Sequence, residues 1–415
     1  MTPVLTLLFI AALAASFLLR AWLATRHMRH VGAHRDEVPG DFRVAITLDE
    51  HRKAADYTIA KTRLALICAG VDTLLTLALT LGGGIGAMQT FVASTGAPPL
   101  AAGLCLFTLF AAVSWLVSLP ASLYAIFGIE TRFGFRTQTL RLYALDQIKG
   151  ALLTAAIGLP LAGLALWLVD AGGQAWWLWT WLAWTGTSLA LLLLYPTVIA
   201  PLFNRFTPLN DPDLKARIDA LLSRCGFESR GIFMMDGSTR SRHSNAYFTG
   251  LGKAKRIVFF DTLLKQLDGD EIEAVLAHEL GHFHGKHIRK RMLTTFMTSL
   301  AFLFVLAQLI DSPDFYRALG VNTPGHAAGF LLFFLAAPPF TFILTPLASH
   351  LSRRHEYEAD QFAARHSAAD NLIRALVKLY RDNASTLTPD PVYSLFYDSH
   401  PPAALRIQHL KEQEQ

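Results

Sequence analysis

In the stretch Ala277-His278-Glu279-Leu280-Gly281-His282, two imidazoles stand four residues apart with a carboxylate beside the first. On a helix, positions i and i+4 share a face, so His278 and His282 can reach one ion. Glu279 is then set beside a metal-bound water as its base. Those residue types at that spacing are the core of a zinc hydrolase, with one Zn²⁺ per chain. The preceding residues 270–276 carry Asp270, Glu271 and Glu273 ahead of an apolar face, which is how a helix start reads against the helix dipole. A surface helix with two solvated histidines is the competing reading and the weaker one.

Two histidines and a water leave a zinc ion one ligand short. The longer motif that adds a third histidine would need it at position 288, which is Ile288; Gly285 fits that motif, but His287 is one residue out of register. On one continuous helix over 270–287, His284 points away from the ion and His287 lies more than a turn beyond it, so both read as supporting or surface groups. Residues 352–363, SRRHEYEADQFA, are the better source. There Glu356 and Asp360 are spaced i, i+4. One carboxylate can bind the metal while the other orients a ligand histidine through its free ring nitrogen, with Glu358 as the alternative.

HELGH followed by SRRHEYEADQFA resembles the M48 family of membrane zinc peptidases, and the CAAX prenyl protease 1 (Ste24) branch in particular. The resemblance implies that Glu356 is the third zinc ligand and that Asp360 supports a ligand histidine. His243-Ser244-Asn245-Ala246-Tyr247-Phe248 resembles the family's substrate-binding edge strand, which singles out Asn245, Ala246 and Tyr247. Ser399-His400-Pro401-Pro402 with Arg406 resembles its C-terminal active-site motif, making His400 and Arg406 the candidates for stabilising the oxyanion. The likeness extends to residues 129–135 and 195–203. It further implies a large water-filled intramembrane chamber, and removal of the last three residues of a CAAX peptide whose cysteine is prenylated.

The elements that must position these groups are mostly apolar. Hydrophobic residues make up 52% of the 415 and charged residues 17%, and the mean hydropathy is +0.34. These values indicate a mainly α, polytopic membrane protein. The net charge of +5 does not mark a nucleic-acid binder, because the basic residues collect in loops between apolar runs. Cys68, Cys105 and Cys225 form neither a disulfide framework nor a cysteine metal site, and read as packing residues.

Seven spans are expected, over 3–23, 64–85, 98–127, 148–169, 175–199, 292–310 and 327–347. Arg20, Arg26 and Arg29 follow the first run and no basic residue precedes it, the wrong order for a cleaved signal, so it reads as a retained anchor. Basic residues crowd the loops after spans one and three, which assigns those loops and both metal-ligand motifs to the cytoplasmic side. Asp72 falls inside the second span, as a functional charge or a packing residue with equal weight. Glu130, Arg132 and Arg136 read as interface anchors in preference to a chamber roof.

The expected organisation is a membrane region over 1–203, a catalytic segment over 204–291, spans six and seven over 292–350, and a C-terminal catalytic segment over 351–415. The second of these should hold a helix over 211–225, the zinc helix and a small β-sheet whose edge, 245–248, holds an extended peptide by main-chain hydrogen bonds. The expected function is an integral membrane zinc metalloendopeptidase acting on a peptide or protein substrate, which the resemblance implies to be lipidated. Compact, Ala- and Leu-rich sequence suggests a bacterial inner membrane, where prenylation is unusual; membrane-protein quality control is therefore the alternative enzyme reading. A catalytically silent scaffold or transporter is the alternative from another class, and it would have no need of Glu279.

Overall fold

The computed structural model describes residues 2–229, 231–249 and 256–413. Among them, seven helices are long and apolar enough to cross a membrane, the number expected from the sequence. Helix α1 (Thr2–Ala33) and α2 (Leu48–Leu79) lie side by side. The second span begins well before residue 64 because Thr47 and Glu50 form a reciprocal capping box. It stops at Leu79 and not at 85: a Cβ on Gly82 would stand 2.7 Å from the Ala78 carbonyl, so only glycine lets the chain double back here into α3 (Gly84–Ala93).

The third span is α4 (Pro99–Leu123), prolonged by a π-helical segment to Glu130; the fourth is α5 (Leu140–Ala171); the fifth is α6 (Trp176–Leu194), which continues through Tyr195–Ile199 into α7 (Ala200–Phe203). Leucines and aromatics such as Leu7, Leu116, Leu152, Trp167 and Leu193 are exposed on these helices, as lipid-facing side chains must be. The inner faces pack on Phe9, Ile85, Leu166, Leu306, Tyr316 and Leu332. Asp72 is exposed on α2, two turns beyond Ala65 on the same helix face. The three cysteines are unpaired.

The catalytic segment opens with β1 (Phe206–Pro208), which sequence reading did not anticipate. It continues with α8 (Pro212–Arg224), capped by Asp211, then β2 (Ile232–Met235), β3 (Ala246–Thr249) and β4 (Arg256–Phe260). The sheet order is β1-β2-β4-β3: β2 and β4 are parallel, the other pairs antiparallel. Strand β3 is thus an edge, with Tyr247 opposite Val258. Helices α9 (Asp261–Gln266) and α10 (Gly269–His284) follow.

A second capping box starts α10, in which Asp268 accepts from the Glu271 amide at 3.0 Å and Glu271 accepts from the Asp268 amide at 2.9 Å. Its apolar face, Ile272, Leu276 and Leu280, closes a core with Ile218 and Leu221 of α8 and Phe259 of β4. The helix ends at His284, short of residue 287, because Lys286 adopts a left-handed conformation with φ 56°. At His287 the sixth span, α11 (His287–Leu309), begins in a new direction.

The short α12 (Pro313–Ala318) leads to the seventh span. This runs as α13 (His326–Thr341), carries Pro338 and Pro339 in its last turn, and passes through a 3₁₀ turn (Phe342–Leu344) into α14 (Thr345–His366). Missing proline amides account for the break. Helices α15 (Ala369–Asp382), α16 (Pro391–Tyr397) and α17 (Ala403–Glu412) complete the chain, with α15 and α17 packed on each other.

Candidate active site

Helices α10 and α14 carry the two halves of the site, and they touch closely. A Cβ on Gly281 would lie 2.8 Å from the Ala359 Cα and 2.9 Å from its carbonyl oxygen, so the glycine between the two histidines is what permits that approach. The imidazoles of His278 and His282 stand with ring centres 4.9 Å apart and planes perpendicular. Glu356 faces both: its carboxylate oxygens lie 3.5 Å from His278 Nε2 and 3.3 Å from His282 Nε2. One donor atom from each of His278, His282 and Glu356 falls within 4.8 Å of the others.

The residues fit a metal on two counts. Two imidazole nitrogens and one carboxylate oxygen are a donor set for zinc with an open fourth position. Glu356 Oε2, in a residue only 5% exposed, has no hydrogen-bond partner among the described residues, an orphan that a cation would satisfy.

Each ligand histidine is held from behind. His278 Nδ1 lies 2.8 Å from Asp360 Oδ1, which fixes the ring so that Nε2 faces inward. Burial opposes the charged imidazole, but the Asp360 carboxylate at Nδ1 and the nearby Glu356 carboxylate raise the His278 pKa to about 9. His282 Nδ1 lies 3.0 Å from His287 Nδ1, and His287 Nε2 lies 2.9 Å from Glu358. The break at Lys286 returns His287 to the neighbourhood of His282, where a continuous helix would have carried it past. Glu358, two residues from Glu356, therefore supports His287 from the opposite side of α14 and does not face the ligand cluster. His284 is exposed, against Phe362.

Arg406, on α17, is buried and gives two hydrogen bonds to Asp360, one of them Nε to Oδ2 at 2.9 Å. Burial works against its charge, whereas Asp360 raises its pKa above the ordinary arginine value. Its nearest approach to Glu356 is 3.9 Å and Nη2 lies 3.4 Å from His278 Nδ1, so the guanidinium sits behind His278. His400 differs: its Nε2 is 3.5 Å from Glu356 Oε1 and 61% of its side chain is open. Protein packed around the ring desolvates it and holds the imidazole pKa below its ordinary value. Glu279 is more occluded than its helix position suggests, and burial raises its carboxyl pKa.

His400 borders a cavity of about 690 Å³ that also reaches Tyr57 and Lys61 of α2, His243 and Asn383. A network sequence reasoning missed holds this wall together. Glu130 is hydrogen-bonded by Tyr57 and lies 3.2 Å from His243 Nε2, while Phe135 stacks on the His243 ring at 4.3 Å. Asn383 Oδ1 accepts from the Ser244 amide at 2.9 Å, fixing the approach to β3. Glu130 is therefore a hub between the membrane helices and the catalytic segment, not an interface anchor. Arg136 joins the same junction through a backbone bridge to Ser241, and the Arg132 guanidinium lies over Phe133.

Of the strand candidates, Ala246 and Phe248 pack toward the α10 core, whereas Tyr247 is turned the other way, its hydroxyl 3.9 Å from Met235 Sδ. Burial pushes the Tyr247 pKa up to about 12. Asn245, at the entrance to the strand, is exposed.

Residues 27–205 match a family model described as the CAAX prenyl protease N-terminal region with five membrane helices, and residues 208–414 match that of peptidase family M48. CAAX prenyl protease 1 of Saccharomyces cerevisiae is 38% identical over 329 residues, covering 75% of this chain and 72% of that protein. The CAAX prenyl protease 1 homolog of Homo sapiens is 35% identical over 351 residues, covering 75% and 73%. A crystal structure of Ste24p from S. mikatae matches with a TM-score of 0.91 and 32% identity over 98% of each chain. The chain belongs to peptidase family M48 and is a multi-pass membrane metallopeptidase of the CAAX prenyl protease type.

Proposed function

We propose that the chain is a zinc endopeptidase that releases the carboxyl-terminal tripeptide of proteins ending in a prenylated CAAX sequence. The convergence of His278, His282 and Glu356 on one point beside the cavity that His400 borders carries this reading. Zinc bound by these three would supply a Lewis acid that lowers the pKa of water and polarises the scissile carbonyl. Glu279, with its proton affinity raised by burial, takes a proton from the attacking water and hands it to the departing amine. His400, open to the cavity, donates to the oxygen on which charge develops. The free edge of β3, from Asn245 through Ala246 and Tyr247, aligns the substrate by main-chain hydrogen bonds. Tyr247 contributes backbone to this role, since its side chain is spent on Met235 and Phe260. Asp360 and Arg406 hold the ligand His278 in register.

The four-part organisation, 1–203, 204–291, 292–350 and 351–415, serves this scheme, with the second and fourth parts facing each other across the metal site. We infer a bacterial inner membrane with the site on the cytoplasmic side. The basic loop between α1 and α2 supports that orientation: it lies at the catalytic end of the bundle, where Lys411 pairs with Asp41 at 2.8 Å and Arg26 with Asp390 at 2.9 Å. No role for nucleic acid is proposed.

Product masses test the reading. Purified protein incubated with a farnesylated CAAX peptide should release the intact terminal tripeptide, and omitting the farnesyl group should slow it. Scattered internal cuts at equal rates with and without the lipid would point to clearance of damaged membrane proteins.

His400 and Arg406 should separate cleanly. His400→Ala should keep its metal and its melting temperature while kcat falls by ~10²–10³-fold, because the lost contact forms only in the transition state. Arg406→Ala takes the guanidinium from the buried Asp360 carboxylate and leaves it only the His278 Nδ1 contact, which should cost up to about 3–5 kcal/mol of stability and loosen the metal. An Arg406→Ala protein of wild-type stability and metal content, impaired only in turnover, would put the guanidinium on the substrate instead.

A further inference from the structure

Lys61 has no assigned part in the chemistry above, yet it projects into the cavity that His400 borders. Its ammonium lies 4.8 Å above the Tyr57 ring, and among the described residues it makes no ion pair. Glu130 lies within electrostatic reach of Lys61, but its hydrogen bonds go to Tyr57 and His243, so the ammonium keeps unfilled donors on the cavity wall and suits a negatively charged group there.

Strand direction says where along a bound peptide that group would fall. A peptide added antiparallel to β3 has its carboxyl end pointing toward the residues that precede Ala246. The chain there passes through Ser244 to His243, whose Nε2 lies 3.2 Å from the Tyr57 hydroxyl. Lys61 is one helical turn from Tyr57 on α2. An extended strand advances ~3.3 Å per residue, so a chain that ends a few residues beyond β3 brings its terminus to this corner of the cavity.

We propose that Lys61 binds the free α-carboxylate of the substrate's last residue and so makes the enzyme a reader of chain ends. This rests on the peptidase reading given above and adds to it a specificity-determining residue. The same ammonium would accept a side-chain carboxylate near the end of the peptide, and the test must tell the two apart.

Three farnesylated CAAX peptides of one sequence serve as probes: a free acid, its carboxyl-terminal amide, and an amide with aspartate in the last position. Wild-type protein should cleave the acid with a kcat/KM ~10–100-fold above the amide, the range expected of a hydrogen bond to a charged group. Lys61→Met should lower the acid to the level of the amide and leave the amide unchanged, while Lys61→Arg keeps most of the preference. Equal cleavage of acid and amide by the wild type would overturn the assignment, as would an equal loss on both peptides in Lys61→Met, which marks a structural lysine. Full rescue by the aspartyl amide would also overturn it, in favour of a side-chain carboxylate. Failure of the wild type to cut any of the three overturns the peptidase reading, and this assignment with it.

Discussion

Replacing Glu279 with glutamine should leave the metal in place and slow peptide hydrolysis by ~10²–10⁴-fold, the usual worth of a positioned general base. Glutamine keeps the volume and the hydrogen-bonding reach of the side chain but has no basic oxygen. The metal should stay because Glu279 is not among the three groups that converge: His278 and His282 present Nε2 to Glu356, and their outer nitrogens are held by Asp360 and His287. Burial strengthens the argument, since raising the proton affinity of Glu279 makes it a better acceptor of the proton from water. Metal content and turnover should be read on one preparation. Turnover near that of the wild type would remove Glu279 from the mechanism and leave His400 as the remaining proton carrier.

Much of this site was legible in the chain. The i, i+4 spacing of His278 and His282 announces a shared face whatever the surroundings, and the Glu356–Asp360 pair carries the same periodicity. Seven apolar runs announce the bundle because lipid demands length and apolarity, which composition records directly. What stayed hidden depends on contacts distant in sequence or on one backbone angle. His287 reads as a supporting or a surface group; the choice falls on support only because Lys286 turns left-handed and sends α11 off in a new direction, which brings His287 to His282. Arg406 reads, beside His400, as a candidate for stabilising the oxyanion; its bonds to Asp360, 46 residues away, come only from the packing of α17. Glu130 looks like a membrane-interface anchor; its bonds to Tyr57 and His243 join three separate stretches that no periodicity links. Strand β1 is three residues long and carries too little pattern to be seen.

Removing Glu356 should cost the protein its metal, because this carboxylate completes the ligand set with His278 and His282. Glu356 Oε2 is buried without a hydrogen-bond partner, whereas Glu358 is spent on His287 and Lys290. Glu356→Ala removes the only carboxylate facing both Nε2 atoms among the described residues, so the ion should be lost. Glu358→Ala only frees His287, and Asp360→Asn should weaken metal affinity by roughly 10–100-fold, the effect typical of a group that orients a ligand. Elemental analysis of the purified wild type and of the two glutamate variants measures this most directly. One zinc per chain is expected in the wild type and in Glu358→Ala, and none in Glu356→Ala; a Glu356→Ala protein that keeps its zinc while Glu358→Ala loses it would make Glu358 the third ligand.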